Sequence, residues 1–177
     1  MTYIDKMATF PRHGHLVSAF FANVFDKFKR KELYCLQEQH LLVIWGKKFT
    51  GYENLVDINN IDDIKDFKDN IIEELDIIQP DFLLFKDNKF IQSNNTLRTA
   101  GVPDLVIEVW SKGNLEAERE MKFKIYSSHE DCEHWYLDQY SNTVKCWLGK
   151  KSLQDQNLNQ ILYTQKNLEF DLRFLAL

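Results

Sequence analysis

Three acids and one lysine in this chain have the types and the spacing to do chemistry. Asp81 lies in Gln79-Pro-Asp-Phe-Leu-Leu-Phe85, and Asp104 and Glu108 interrupt the apolar stretch Gly101-Val-Pro-Asp-Leu-Val-Ile-Glu-Val-Trp-Ser111. On a two-residue period Asp104, Val106, Glu108 and Trp110 share one face of a strand, while Leu105, Ile107 and Val109 share the other. One face is pure core; the other carries charge to a place the surrounding sequence would bury. An unpaired carboxylate there is costly, so Glu108 needs a cation, either a lysine or a metal ion. If the two apolar stretches pair antiparallel, opposed residue numbers have a constant sum, and a sum of 189 sets Phe85 against Asp104 and Asp81 against Glu108. Neighbouring strands lie about 4.8 Å apart, so Asp81 and Glu108 could share a divalent cation. Asp104 is about 13 Å along the strand from Glu108 and is less suited to bind the same ion directly. A slip of one residue would turn the carboxylate away from its partner.

The lysine is Lys122, on a predicted helix from Leu115 to Ser128. Asn114 is placed to cap it, Glu116 and Glu118 suit its first turn, and Leu115, Met121, Ile125 and Tyr126, helped by Ala117 and Phe123, form its expected buried side. Glu118 and Lys122 are four apart and share a face. Their spacing leaves two arrangements open: an exposed ion pair, or Lys122 reaching over the sheet toward Glu108.

The other elements must position these groups. After Pro11-Arg-His-Gly-His15, the residues Leu16, Phe20, Phe21, Val24, Phe25 and Phe28 recur at three and four, predicting a helix over 16–29 with an aromatic core stripe. Lys27, Lys29, Arg30 and Lys31 complement its C-terminus. His13 and His15, at its entrance, are expected to bond locally or face water. Strands are predicted over 33–36, 41–45, 79–85, 133–138 and 143–148, with a last hairpin joining 161–163 to 168–172. Residues 52–77 are ambiguous between a short helix and a loop. Trp135, Tyr136 and Trp147 are expected to pack sheet against helix.

The totals set limits. A chain of 177 residues, 44% hydrophobic, fits one domain over 1–177 with a full core. A formal charge of -5 argues against a broadly basic, nucleic-acid-coating surface but allows a local cleft. Cys35, Cys132 and Cys146 are scattered and read as reduced, buried thiols. No 18-residue apolar run or signal-like start occurs, so the expectation is a cytoplasmic protein with no membrane contact.

The ordered set Gln79–Phe85, Val102–Ser111, Lys122-Phe-Lys-Ile-Tyr126 and Glu133-His-Trp-Tyr-Leu-Asp138, with His13-Gly14 ahead of the first helix, resembles the Uma2 family of restriction-endonuclease-like proteins. The resemblance implies an α/β (mixed α+β) variant of the PD-(D/E)xK nuclease fold, a mixed central sheet flanked by helices. Carried over, Asp81 corresponds to the strand aspartate, Glu108 to the acid of the ExK element, and Lys122 to a lysine moved to the following helix. Trp110 stands where a conventional nuclease has its lysine, and Asp104, in the second Pro-Asp, is implied to orient the site or bind water. The usual Ser-Pro after the strand is Ser111-Lys112 here, so Lys112 too could serve the catalytic cleft if the strand ends there, and Glu118 replaces an aspartate. The activity implied by the resemblance is that of a metal-dependent endonuclease acting on DNA, expected to be duplex, with Asp81 and Glu108 as ligands of Mg2+ (or Mn2+) and a backbone carbonyl near Ile107 or Val109 as a further ligand. Lys27, Lys29, Arg30, Lys47, Lys48 and Arg98 are candidates to grip DNA, and a homodimer would suit paired strand scission. The alternative is a catalytically inactive nuclease-fold module that binds DNA or a protein partner.

Overall fold

The computed structural model describes residues 10–30, 32–37, 41–44, 76–86, 91–92, 98–111 and 113–177. Helix α1 (Phe10–Lys29) is followed by β1 (Tyr34–Gln37), β2 (Leu41–Ile44), β3 (Asp76–Ile78) and β4 (Phe82–Phe85). Then come β5 (Ile91–Gln92), β6 (Arg98–Ala100), β7 (Leu105–Trp110), α2 (Glu116–Ser127), β8 (Glu133–Asp138) and β9 (Thr143–Leu148). Short strands β10 (Lys151–Ser152), β11 (Gln156–Asn157), β12 (Leu162–Tyr163) and β13 (Glu169–Phe170) precede a 3-10 turn at Arg173–Leu175.

The main sheet runs β1-β4-β7-β8-β9-β10, with β11 also on β9. β7 can occupy its interior because Leu-Val-Ile-Glu-Val-Trp offers apolar side chains to both faces. It pairs antiparallel with β4 as Phe82↔Ile107, Leu83↔Val106 and Leu84↔Leu105, the register with the predicted sum. On its other side it pairs parallel with β8, from Leu105↔Glu133 to Trp110↔Asp138. Parallel neighbours need a crossover, and α2 supplies it. Between β4 and β7 the chain leaves this sheet, and β5 and β6 join a second one in the order β3-β2-β6-β5.

The alternation along β7 divides the core in two. Leu105, Ile107 and Val109 meet Leu16, Phe20 and Val24 of α1, Trp135 of β8 and Phe170 of β13. Val106 lies on the opposite side with Leu83, Phe85, Ile125, Tyr126 and Tyr136. Phe20 anchors the first cluster, its ring 5.3 Å from Phe170 and 6.0 Å from Phe82. Trp135 and Tyr136 pack on opposite faces of the sheet, as expected for successive strand residues.

Several expectations need correction. Helix α1 begins at Phe10, so Pro11 falls in its first turn, where a missing N–H costs little, and His13 is helical. Phe25 is exposed. At α2, the cap residue Leu115 and the helical Met121 are exposed at 66% and 52%. That helix buries only Ile125, Tyr126 and Ser127, so it docks through its C-terminal end. Asn114 does not cap it: Leu115 is the cap residue, and Asn114 Oδ1 accepts from the Ser111 amide at 2.7 Å. Lys31, Lys47, Lys48, Lys112 and residues 52–75 of the ambiguous stretch 52–77 lie outside the described residues, its last two residues belong to β3, and the Arg98 side chain is not described. All three cysteines are free and buried, and burial pushes Cys35 and Cys146 up to about 12. Among the described residues, no helix is long and apolar enough to cross a membrane.

Candidate active site

Pro80 leads the chain into β4, and Asp81 stands one residue ahead of that strand. Its Oδ2 accepts from the Val109 amide at 2.7 Å, and its Oδ1 lies 3.3 Å from His13 Nε2. Continuing the β4–β7 register by one residue brings Asp81 opposite Glu108. Glu108 is 2% exposed. Tyr126 donates its hydroxyl to Glu108 Oε1 at 2.6 Å, and Lys122 donates its ammonium to Oε2 at 2.7 Å. Lys122 also donates to the Gln79 carbonyl at 3.1 Å. Lys122 and Tyr126 are one helical turn apart, so a single face of α2 supplies both donors. Of the two arrangements left open for Lys122, the one over the sheet is present.

The electrostatics follow from burial. Removal from water pushes Glu108 up to about 7, the Asp81 charge adds to this, and Lys122 and Tyr126 oppose it. Burial alone would lower Lys122, but its ion pair and hydrogen bond with Glu108 outweigh that and hold it above its usual value. Tyr126 is pushed well up, first by burial and then by the Glu108 charge, so it stays a neutral donor. The charge of Asp81 disfavours ionisation of Glu108, a repulsion that a divalent cation held by both would relieve.

Asp104 is held elsewhere. Its Oδ2 accepts from the Lys86 amide at 2.6 Å, and Oδ1 pairs with the Lys166 ammonium. It thus fixes the turn after β4 and ties in the C-terminal segment, while Asp81, Glu108 and Lys122 converge. The DNA-gripping candidates at the end of α1 do not converge either. Lys29 is about 24 Å along the helix from His13. It pairs with Asp26 at 3.6 Å, and Arg30 with Glu32 at 2.6 Å.

Two polar partners escaped the sequence: His13 beside Asp81, and Tyr126 beneath Glu108. Tyr126 was legible in principle, because it is four residues past Lys122. His13 has no local pattern that links it to Asp81. Behind the site, buried His134 has Nε2 2.9 Å from the Gly149 carbonyl and Nδ1 2.8 Å from Tyr136 Oη. A carbonyl only accepts, so Nε2 carries the hydrogen and Nδ1 accepts from Tyr136. Burial lowers His134 to about 4, in keeping with a neutral ring.

Among the described residues, no three His, Cys, Asp or Glu form a metal-ligand group. What the described residues bring together is the pair of carboxylates Asp81 and Glu108. That donor set fits Mg2+, which takes hard oxygen ligands and is commonly held by one or two carboxylates, with water and phosphate completing its shell.

A mixed sheet with α1 on one face and α2 on the other is the restriction-endonuclease-like architecture. Residues 69–173 match the family model described as "Uma2: Putative restriction endonuclease", and the chain belongs to that family. It is also similar in fold to a crystal structure described as "a putative nuclease belonging to DUF820 from Anabaena variabilis ATCC 29413". The two share 13% identity and a TM-score of 0.57, over 94% of this chain and 80% of that one. No curated protein matches the chain.

Proposed function

We propose that this protein hydrolyses DNA phosphodiester bonds as a divalent-metal-dependent endonuclease, with Asp81 and Glu108 as the ligands of Mg2+ or Mn2+. The observation that carries the proposal is the buried contact of Lys122 with Glu108, across the strand pair from Asp81. A fold gains little from a buried ion pair, since replacing such a pair with apolar residues is often neutral or stabilising. Its presence in a buried layer is better explained by chemistry than by stability.

In this scheme Asp81, just ahead of β4, and Glu108, on β7, would hold the ion, which would supply Lewis acidity toward phosphate and water. Lys122, 14% exposed at its side chain, is the member that keeps contact with solvent. Its ammonium leaves Glu108 to stabilise charge developing on the phosphoryl oxygens or to orient the attacking water. Asp104 serves from a distance, by fixing the Lys86 end of the strand pair. The N-terminal end of α1, through His13, closes the opposite side.

The test is nicking of supercoiled plasmid in Mg2+ or Mn2+ by the wild type, Glu108→Ala and Lys122→Ala. The wild type should cleave and both variants should lose most of that activity. Equal cleavage by all three would reject this site. No cleavage by the wild type, together with duplex binding that weakens as salt rises, would favour a non-catalytic DNA-binding module.

A further inference from the structure

The two donors that hold Glu108 are not equivalent. Lys122 brings a positive charge and retains some exposure to solvent, whereas Tyr126 is 0% exposed and brings none. Tyr126 lies in the layer between α2 and the sheet, packed with Val106, Ile125 and Tyr136. Its hydroxyl is fixed in that layer and does not reach solvent. A neutral O–H also leaves the carboxylate charge in place, ready to attract a cation once Lys122 moves. The result is a carboxylate with one oxygen tied inward and the other turned to the side from which Lys122 approaches.

We propose that Tyr126 is a positioning residue of the metal site, fixing the Glu108 carboxylate so that Oε2 is the oxygen presented to the divalent ion. This rests on the reading of Asp81 and Glu108 as metal ligands. Tyr126 touches neither ion nor substrate and acts only through Glu108. Side chains that orient a metal ligand typically change metal affinity by roughly 10–100-fold when removed. A hydroxyl present only to satisfy a buried acid would affect stability instead.

Tyr136 provides the control. It belongs to the same buried cluster, but its hydroxyl donates to His134 Nδ1 rather than to Glu108. Binding of Mn2+ alone is measured by calorimetry on the full chain for wild type, Tyr126→Phe and Tyr136→Phe, with urea unfolding of each. Wild type should bind Mn2+, and Tyr126→Phe should bind it roughly 10–100-fold more weakly. Tyr136→Phe should lose stability and keep its affinity. The Mn2+ concentration for half-maximal plasmid nicking should rise in Tyr126→Phe by the same factor as its binding constant. If Tyr126→Phe does not fold, Tyr126→Met, which fills the space without a donor, takes its place. Wild-type affinity in the Tyr126 variant, or equal weakening in the Tyr136 variant, overturns the assignment while leaving the metal site standing. Absence of Mn2+ binding by the wild type removes both.

Discussion

Replacing Glu108 with glutamine should change how stability depends on pH, and the size of the change follows from the surroundings of this acid. Burial raises Glu108 from the usual 4.5 to about 7 in the folded protein. Between those values the folded state holds a proton that the unfolded state has released, so stability falls as pH rises. At about 1.36 kcal/mol per pH unit, the loss amounts to roughly 3 kcal/mol, complete a little above pH 7. His134 acts in the opposite direction over nearly the same window. Its value drops from 6.5 to about 4, so the unfolded state holds the extra proton and stability rises with pH, again by roughly 3 kcal/mol. In the wild type the two effects largely cancel, and a single profile would look flat. The informative quantity is the difference between Glu108→Gln and wild type. Glutamine keeps a side chain able to accept from Tyr126, and it abolishes the titration. The stability of Glu108→Gln relative to wild type should climb by roughly 3 kcal/mol between pH 4.5 and 7.5. Urea unfolding followed by tryptophan fluorescence, in buffers with a chelator, measures it at each pH. A difference that stays constant across that range would refute the claim that burial governs this acid.

Further outcomes rest on neighbouring contacts. Lys122→Met should cost roughly 2–3 kcal/mol at pH 8, because it strands a buried carboxylate, and much less at pH 5, where Glu108 is protonated; chelated urea titrations at the two pH values compare them. Gly149→Ala should destabilise by more than about 1 kcal/mol, because φ is +52° and an added Cβ would sit 2.9 Å from the Glu130 Cα. Thermal and urea unfolding would show it. The three buried thiols should resist a colorimetric thiol reagent at pH 8 in the folded protein and all react in denaturant.

Much of the site was legible because strand chemistry is periodic. Asp81 and Glu108 lie in two apolar runs, and once these pair antiparallel, the alternation of faces leaves few registers that keep Leu105, Ile107 and Val109 in the core. Helix α2 was legible in type but not in tilt. Its apolar positions do not reveal that only the C-terminal end docks, so Leu115 and Met121 looked buried. The onset of α1 was obscured by Pro11, which is tolerated in a first turn, and by Gly14 in the second, both of which usually mark a break. Contacts such as His13 with Asp81, or Asp104 with Lys166, depend on how distant segments meet and leave no local trace.

The bond from the Val109 amide to Asp81 has a consequence for how relatives of this protein should be judged. There a side chain takes a main-chain donor just past the last paired residues of β4 and β7, so one carboxylate finishes the ladder as well as standing opposite Glu108. Loss of Asp81 would orphan a backbone N–H as well as any chemistry, and a lineage that had given up catalysis would still be held to an acceptor at this position. Glu108 performs no comparable service for the main chain among the described contacts. Drift at 108 with aspartate or asparagine retained at 81 is therefore the pattern that would distinguish a retired enzyme from a working one.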